Sequence, residues 1–371
     1  MDTEPASGPT PASPWQRRSR GALLALVALP LGLGVSAMVV ANRGAEGRVA
    51  LAATAALVVG VVALRAITRR IVSPLLYSIA FLLVLWFFSP AERLVFVSDR
   101  DTPGRPQIFT VDASGGDADR LGATLGQDDA PVISPDGRRL AFSRRIGGQE
   151  RLFIAGSRGG GAAPVPHGEG DDHHPAWSPD GRWLAFASDR GGDWEVYVMA
   201  LDGSGLRDLS HHPARDDWPA WSPDGRRLAF ESERGGQLGI YLVDVDGAEP
   251  VPFGAGRTPA GQPAWSPDGR RLAFVAGEAA AAETICTATI TGDDRRCLTP
   301  LGRYAAPAWS PSGTRLAYAA GGAAGWDIFV LPAAGGAARN LSRHAGLNGA
   351  PSWASGGPDA ALGRWWARLV R

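Results

Sequence analysis

One heptapeptide returns at a fixed interval. Pro175-Ala176-Trp177-Ser178-Pro179-Asp180-Gly181 recurs as Pro219–Gly225 and as Pro263–Gly269. Looser copies begin at Pro131, Pro307 and Pro351. The six starts, 131, 175, 219, 263, 307 and 351, stand 44 residues apart. A period of this size marks a chain built from one supersecondary unit, repeated, that buries its apolar face only against its neighbours.

Each repeat reads as four short strands. Pro-Ala-Trp-Ser is a first strand, and Ser-Pro-Asp-Gly is a tight turn in which Pro presets φ and Gly admits positive φ. Arg227–Phe230 alternates as a second strand, and Val196–Met199 is an example of a third. A two-residue turn such as Asp202-Gly203 leads to a fourth, Leu206–Ser210. Four strands per repeat predict propeller blades. Second strands begin near 94, 139, 183, 227, 271 and 315, which gives six blades. The N-terminal set lacks a first strand, and Pro351–Ala354 is a first strand with nothing after it. Joining the two closes the ring and removes both exposed edges. The expected fold is all-β: a six-bladed β-propeller of four-stranded blades over 89–357, closed by strand exchange between the two ends.

The stretch PAWSPDGRRLAF, followed by an IYVMD-DG-RLT-like pattern, resembles the PD40 repeats of the TolB-like β-propeller family. The resemblance covers about residues 89–357 and implies a binding propeller with protein partners in the cell envelope; some relatives fuse such a propeller to a peptidase domain. In TolB a soluble domain precedes the propeller, whereas here apolar runs occupy that place.

Residues repeated in every blade belong to packing. Trp177, Trp221, Trp265, Trp309 and Trp353 are expected to bury roughly 150–250 Å² each between blades. Their expected partners are Phe142, Phe186, Phe230, Phe274 and Tyr318. Function belongs where the repeats disagree, in the stretches leading into each first strand. Three neighbouring blades offer Asp128, Asp129, Asp172, His173, His174, Asp216, Asp217 and Trp218 there; the other half is small and neutral apart from Arg303 and Tyr304. This rim is the candidate binding surface, against the alternative that its Asp residues cap turns. No metal site or cofactor is expected. His173-His174 and His211-His212 are adjacent pairs without the ligand spacing of a helix or knuckle. No G-x-S-x-G, H-E-x-x-H or Walker loop is present, so no catalytic residue is assigned. Cys286 and Cys297 each lie five residues from a Thr291-Gly292 turn and so face each other across two strands. They read either as a disulfide or as two thiols packed as small apolar residues.

The front of the chain differs in kind. Residues 1–20 read as a disordered cytoplasmic tail ending in Arg17, Arg18 and Arg20. Runs 21–41, 49–64 and 71–88 carry no charged side chain and read as about three membrane-spanning helices. Arg43 and Arg48 flank one loop and Arg65, Arg69 and Arg70 fill the next, which places the N-terminus and loop 65–70 inside and the propeller outside. Alternatively, the first run with Val35-Ser36-Ala37 is a cleaved signal peptide, which leaves two spans and the same outer propeller. The expected location is therefore the bacterial cytoplasmic membrane, multi-pass, with the propeller on the periplasmic side. The 37 basic residues, all Arg, balance 37 acids, and residues 93–371 hold 29 Arg against 33 acids. That charge excludes a nucleic-acid footprint.

The link from Phe88 to Leu94 is too short to reach around a disc, so the tether leaves from the turn face and the His/Asp rim points away from the bilayer. In 358–371, Leu362, Trp365, Trp366, Leu369 and Val370 alternate with Arg364, Arg368 and Arg371 at helical spacing. This reads as a short amphipathic tail, lying either on the membrane surface or on the propeller floor. The expected function is an extracytoplasmic module, with a monomeric propeller, that binds an envelope protein or peptide through its rim. A sensor signalling through the spans, or a hydrolase or lyase using the Asp/His rim, are the alternatives.

Overall fold

Pro and Gly make each Ser-Pro-Asp-Gly turn, and the Ser and Asp side chains hold it. Ser134 Oγ donates to Asp136 Oδ1 at 2.5 Å, and the same bond recurs at Ser178–Asp180, Ser222–Asp224 and Ser266–Asp268. The Ser134 hydrogen bond holds the Asp136 carboxyl below its ordinary range. Gly181 sits at φ +69°, where a side chain would be strained. A strand enters and leaves each such turn, so the repeat becomes a hairpin.

The structure is a computed structural model that describes residues 92–354, apart from 123–125, 167, 255–258, 278–281, 324 and 344–345. The expected tail, the three apolar runs and the 358–371 segment lie outside the described residues. Among the described residues, no helix is long and apolar enough to cross a membrane.

Six antiparallel four-stranded sheets form the blades. Blade one joins Asn348–Trp353 to Arg93–Ser98, Gln107–Asp112 and Asp119–Arg120. Blade two is Gln127–Ile133, Arg139–Ile146, Gln149–Gly156 and Ala163–Pro164. Blade three is Asp172–Trp177, Trp183–Ser188, Glu195–Ala200 and Arg207–Asp208. Blade four is Asp216–Trp221, Arg227–Ser232, Gly239–Asp244 and Val251–Pro252. Blade five is Ala260–Trp265, Arg271–Ala276, Thr284–Thr289 and Arg296–Cys297. Blade six is Arg303–Trp309, Arg315–Gly322, Gly325–Pro332 and Arg339–Asn340. The ring closes as the repeat arithmetic requires: Leu94 pairs with Trp353 and Ser98 with Asn348.

The first strand of every blade touches the first strands of both neighbours, so these six line the centre of the ring. They begin before the Pro-Ala-Trp core of the repeat. The residues read from sequence as entry loops, Asp172 to His174 for example, are already strand and pair with Ser188 and Ala187. Fourth strands are shorter than expected, two residues each.

The repeated tryptophans pack between blades. Trp177, Trp265 and Trp353 are buried, and each donates Nε1–H to the blade before it: to Val132 O at 3.1 Å, Ala220 O at 3.1 Å and Ala308 O at 2.9 Å. An arginine of that preceding blade lies over each ring: Arg139, Arg227 and Arg315. Trp221 and Trp309 are half-buried and lack this clamp. Trp183 stands in the place of the arginine before Trp221, and Arg271 is turned to Asp294 at 2.8 Å. Four of the five expected aromatic partners share these clusters: Phe186 with Trp177, Phe230 with Trp221, Phe274 with Trp265 and Tyr318 with Trp309; Phe142 packs instead with Ile133, which stands at the tryptophan's place in blade two.

Candidate functional site at the channel mouth

Every inner strand carries one bulge. Pairing shifts between Asp129 and Val132, His173 and Ala176, Asp217 and Ala220, and at the matching places of the other blades. The residue before the repeat proline then takes a left-handed conformation: Ala130, His174, Trp218, Gln262, Ala306 and Ala350, with φ between 45° and 53°. Such a conformation costs a non-glycine residue about 1 kcal/mol or more. Six copies make it part of the architecture, so the blades differ only in the side chain carried there. His174, Trp218 and Gln262 stand side by side on blades three, four and five. Ala306, Ala350 and Ala130 complete the ring. A bulge re-aims side chains, which lets sequence neighbours such as His173 and His174 serve one site although strict strand alternation would part them.

Asp217 is the centre of that site. Its side chain is 1% exposed. His174 Nδ1 meets Asp217 Oδ1 at 2.7 Å and His173 Nε2 meets Oδ2 at 3.1 Å. Arg215 Nη2 donates to Oδ2 at 3.0 Å, and the Trp218 N–H donates to Oδ1 at 2.7 Å. On its other side, His173 Nδ1 faces Glu150 Oε2 of blade two at 3.5 Å. Aromatic rings extend the cluster. Trp194 stacks on His173 at 4.1 Å and Trp218 on His174 at 3.8 Å, and the two imidazoles are 4.4 Å apart.

The electrostatics follow from this geometry. Burial opposes a charge on His173, but hydrogen bonds to Asp217 and Glu150 outweigh it and raise the imidazole from 6.5 to about 9. The same bond to His173 lowers Glu150. Burial also opposes the Asp217 charge, yet the charge of His174 and the bond to His173 hold it well below the usual carboxylate range. Glu231 stands opposite Asp217 in the ladder and accepts the Gln262 N–H at 3.0 Å. Burial, then the Asp217 charge, push Glu231 up to about 7.

The other expected rim residues are placed elsewhere. Asp128, Asp172 and Asp216 have fully buried side chains paired to arginines of their own blades: Arg144 at 2.6 Å, Arg190 at 2.7 Å and Arg234 at 2.6 Å. Each of these arginines also lies over two aromatic rings, such as Phe230 and Tyr241 for Arg234. Blade one uses Asn348 and Arg100 instead, while blades five and six carry Ala260 and Tyr304 at this position. Asp129 is exposed and accepts the Ala130 N–H at 2.7 Å. Tyr304 lies edge-on to Tyr318 at 5.7 Å, within blade six. His211 is exposed and paired with Asp208 at 3.3 Å; His212 accepts the Ala214 N–H at 3.0 Å. Sequence reasoning did not single out Glu150, Trp194, Arg215, Glu231 or Gln262. Gln262 was legible from its place before a repeat proline and Arg215 from its place just before the inner strand of blade four; Glu150, Trp194 and Glu231 reach the site from hairpins and a neighbouring strand. At the outer edge of blade five, Cys286 and Cys297 form a disulfide across paired strands.

These features define a six-bladed propeller of PD40-type repeats with an asymmetric channel mouth. The chain matches the TolB beta propeller domain model over residues 130–250 and 238–361, more than half its length, and belongs to that family. No curated protein matches its sequence. TolB from Acinetobacter baumannii is similar in fold at 21% identity and a TM-score of 0.65, with 71% of this chain and 66% of that one covered. A putative TolB from Agrobacterium tumefaciens gives 22% identity and a TM-score of 0.51, covering 66% of this chain and 91% of that one. A chain of the nidogen/laminin complex gives 13% identity and a TM-score of 0.57, covering 72% of this chain and all of that one. This chain thus spans just under two thirds of the Acinetobacter protein.

Proposed function

We propose that this chain is a membrane-tethered binding module that presents its channel rim to a protein or peptide of the bacterial cell envelope. The observation that carries the reading is the division of the six left-handed positions. His174, Trp218 and Gln262 give one half of the ring aromatic faces and hydrogen-bonding groups, and the three alanines give the other half none. Aromatic faces and hydrogen-bonding groups gathered on one side of the ring are the composition of a recognition site. Membership of the TolB propeller family supports a protein or envelope ligand.

The three charge-free runs support a multi-pass anchor in the cytoplasmic membrane with the propeller on the periplasmic side. The hydrolase or lyase alternative needs a free imidazole base. His173 has both nitrogens directed at carboxylates and titrates at about 9, so it is charged at neutral pH.

The test is crosslinking and capture from native membranes, with wild type against His174→Ala/Trp218→Ala/Gln262→Ala. This variant gives all six blades the residue that three already carry in the same backbone conformation. Loss of a captured protein in the variant is expected. An unchanged capture pattern would overturn the rim as the recognition surface.

A further inference from the structure

We propose that His173, His174 and Asp217 form a binding site for a divalent transition-metal ion of the zinc class. The inference does not rest on the partner-binding reading. The two imidazole nitrogens and a carboxylate oxygen all lie within 4.8 Å of one another. An ion at roughly 2.0–2.2 Å from each donor fits that spacing after small side-chain rotations, and it takes the place of the proton that His173 Nε2 otherwise shares with Asp217. Two imidazoles and one carboxylate favour zinc, copper or nickel over calcium or magnesium, which prefer all-oxygen shells.

The surroundings are built as such a site requires. His173 presents Nε2 to the cluster while Nδ1 faces Glu150 at 3.5 Å, the carboxylate behind a ligating imidazole that fixes its tautomer and plane. Trp194 and Trp218 stack on the two imidazoles and restrict their rotation. The Trp218 N–H fixes the carboxylate through Oδ1. The competing cation is Arg215, on Oδ2 at 3.0 Å; its side chain is 53% exposed and has solvent to swing into. Sequence spacing hides the site because the third donor comes from the next blade, 43 residues beyond His174. Three protein donors leave a fourth coordination position for water or an incoming group.

The test is titration of the untagged, chelator-stripped full-length chain with cobalt(II), read by its visible absorption, then displacement by zinc(II). Expected is one equivalent of cobalt with a tetrahedral ligand-field band that zinc abolishes. His174→Ala, safe for the backbone because Ala130, Ala306 and Ala350 share its conformation, and Asp217→Asn should each weaken uptake by at least about tenfold. Glu150→Gln should weaken it by about tenfold, and His211→Ala/His212→Ala should leave it unchanged. Absence of uptake by the wild type, unchanged uptake in His174→Ala, or loss only in the His211/His212 variant would each overturn the proposal. If Asp217→Asn does not fold, His174→Ala and Glu150→Gln decide.

Discussion

Blades three and four and blades six and one share a backbone but not a chemistry. All four carry the inner-strand bulge and the left-handed residue before the repeat proline. In blades three and four that residue is His174 or Trp218, beside His173 and Asp217. In blades six and one it is Ala306 or Ala350, beside Ala305 and Gly349. The fold thus bears the strain uniformly, and the blades differ in the two residues each carries there. The clamps differ in parallel: Arg190 and Arg234 hold buried aspartates, while blade six substitutes a Tyr304–Tyr318 contact.

The largest effect tests what the two regions share. Trp353→Ala removes the buried ring that joins blade one to blade six and should cost about 3–5 kcal/mol in denaturant unfolding. A cost below about 1 kcal/mol would mean that blade closure contributes little.

The next test exploits the clamps. Arg234→Ala strands Asp216 as a buried unpaired charge and should cost about 3 kcal/mol. Tyr304→Ala, on the blade without a clamp, loses only an aromatic contact, about 1 kcal/mol. Equal costs would erase the distinction between the halves.

Glu231 supplies a pH signature on the His-bearing side. Its folded carboxyl is raised from 4.5 to about 7, so the native state holds the proton more tightly across that interval. That stabilising contribution is full below the ordinary value and is lost as pH rises through about 7, with a total on the order of 3 kcal/mol. Glu231→Gln should remove this slope in chelator-treated protein, so the gap between variant and wild type should widen between acid and neutral pH. Parallel stability curves would contradict the assignment.

The smallest stability effect comes from adding bulk to the alanine half. Ala350→Trp enlarges a half-buried position beside the core and should cost about 1 kcal/mol, while envelope-partner capture falls as it does in the triple alanine variant. Undiminished capture would show that the alanine half is not used.

Much of the fold was legible because the repeat is nearly identical in each copy. Six starts at one period fix six blades, and a first strand without a blade paired with a blade without a first strand fixes the closure. The site was legible only in part. His173, His174, Asp217 and Trp218 stood out as departures from the repeat, and the structure gathers them. Asp128, Asp172 and Asp216 stood out equally, yet each is paired to an arginine. Arg190 and Arg234 follow their aspartates at one shared spacing of 18 residues, so this pairing was written in the repeat, whereas Arg144 follows Asp128 by 16. Glu150 and Trp194 were invisible because they come from hairpins whose reach depends on loop geometry. The bulge itself left no mark beyond the proline, so the adjacent histidines were read onto one rim but not onto the one carboxylate that the backbone gives them to share.

The closing strand also orders events in time. Leu94 pairs with Trp353, and Ser98 with Asn348, so the inner edge of blade one waits for almost the whole propeller to be synthesised. Until then a row of unpaired backbone groups on Arg93–Ser98 is open to any passing strand. Contacts this distant along the chain form slowly. The last step of folding is therefore expected to be a single zipping event, and a ribosome-bound chain lacking only Asn348–Trp353 should be the form most in need of a chaperone.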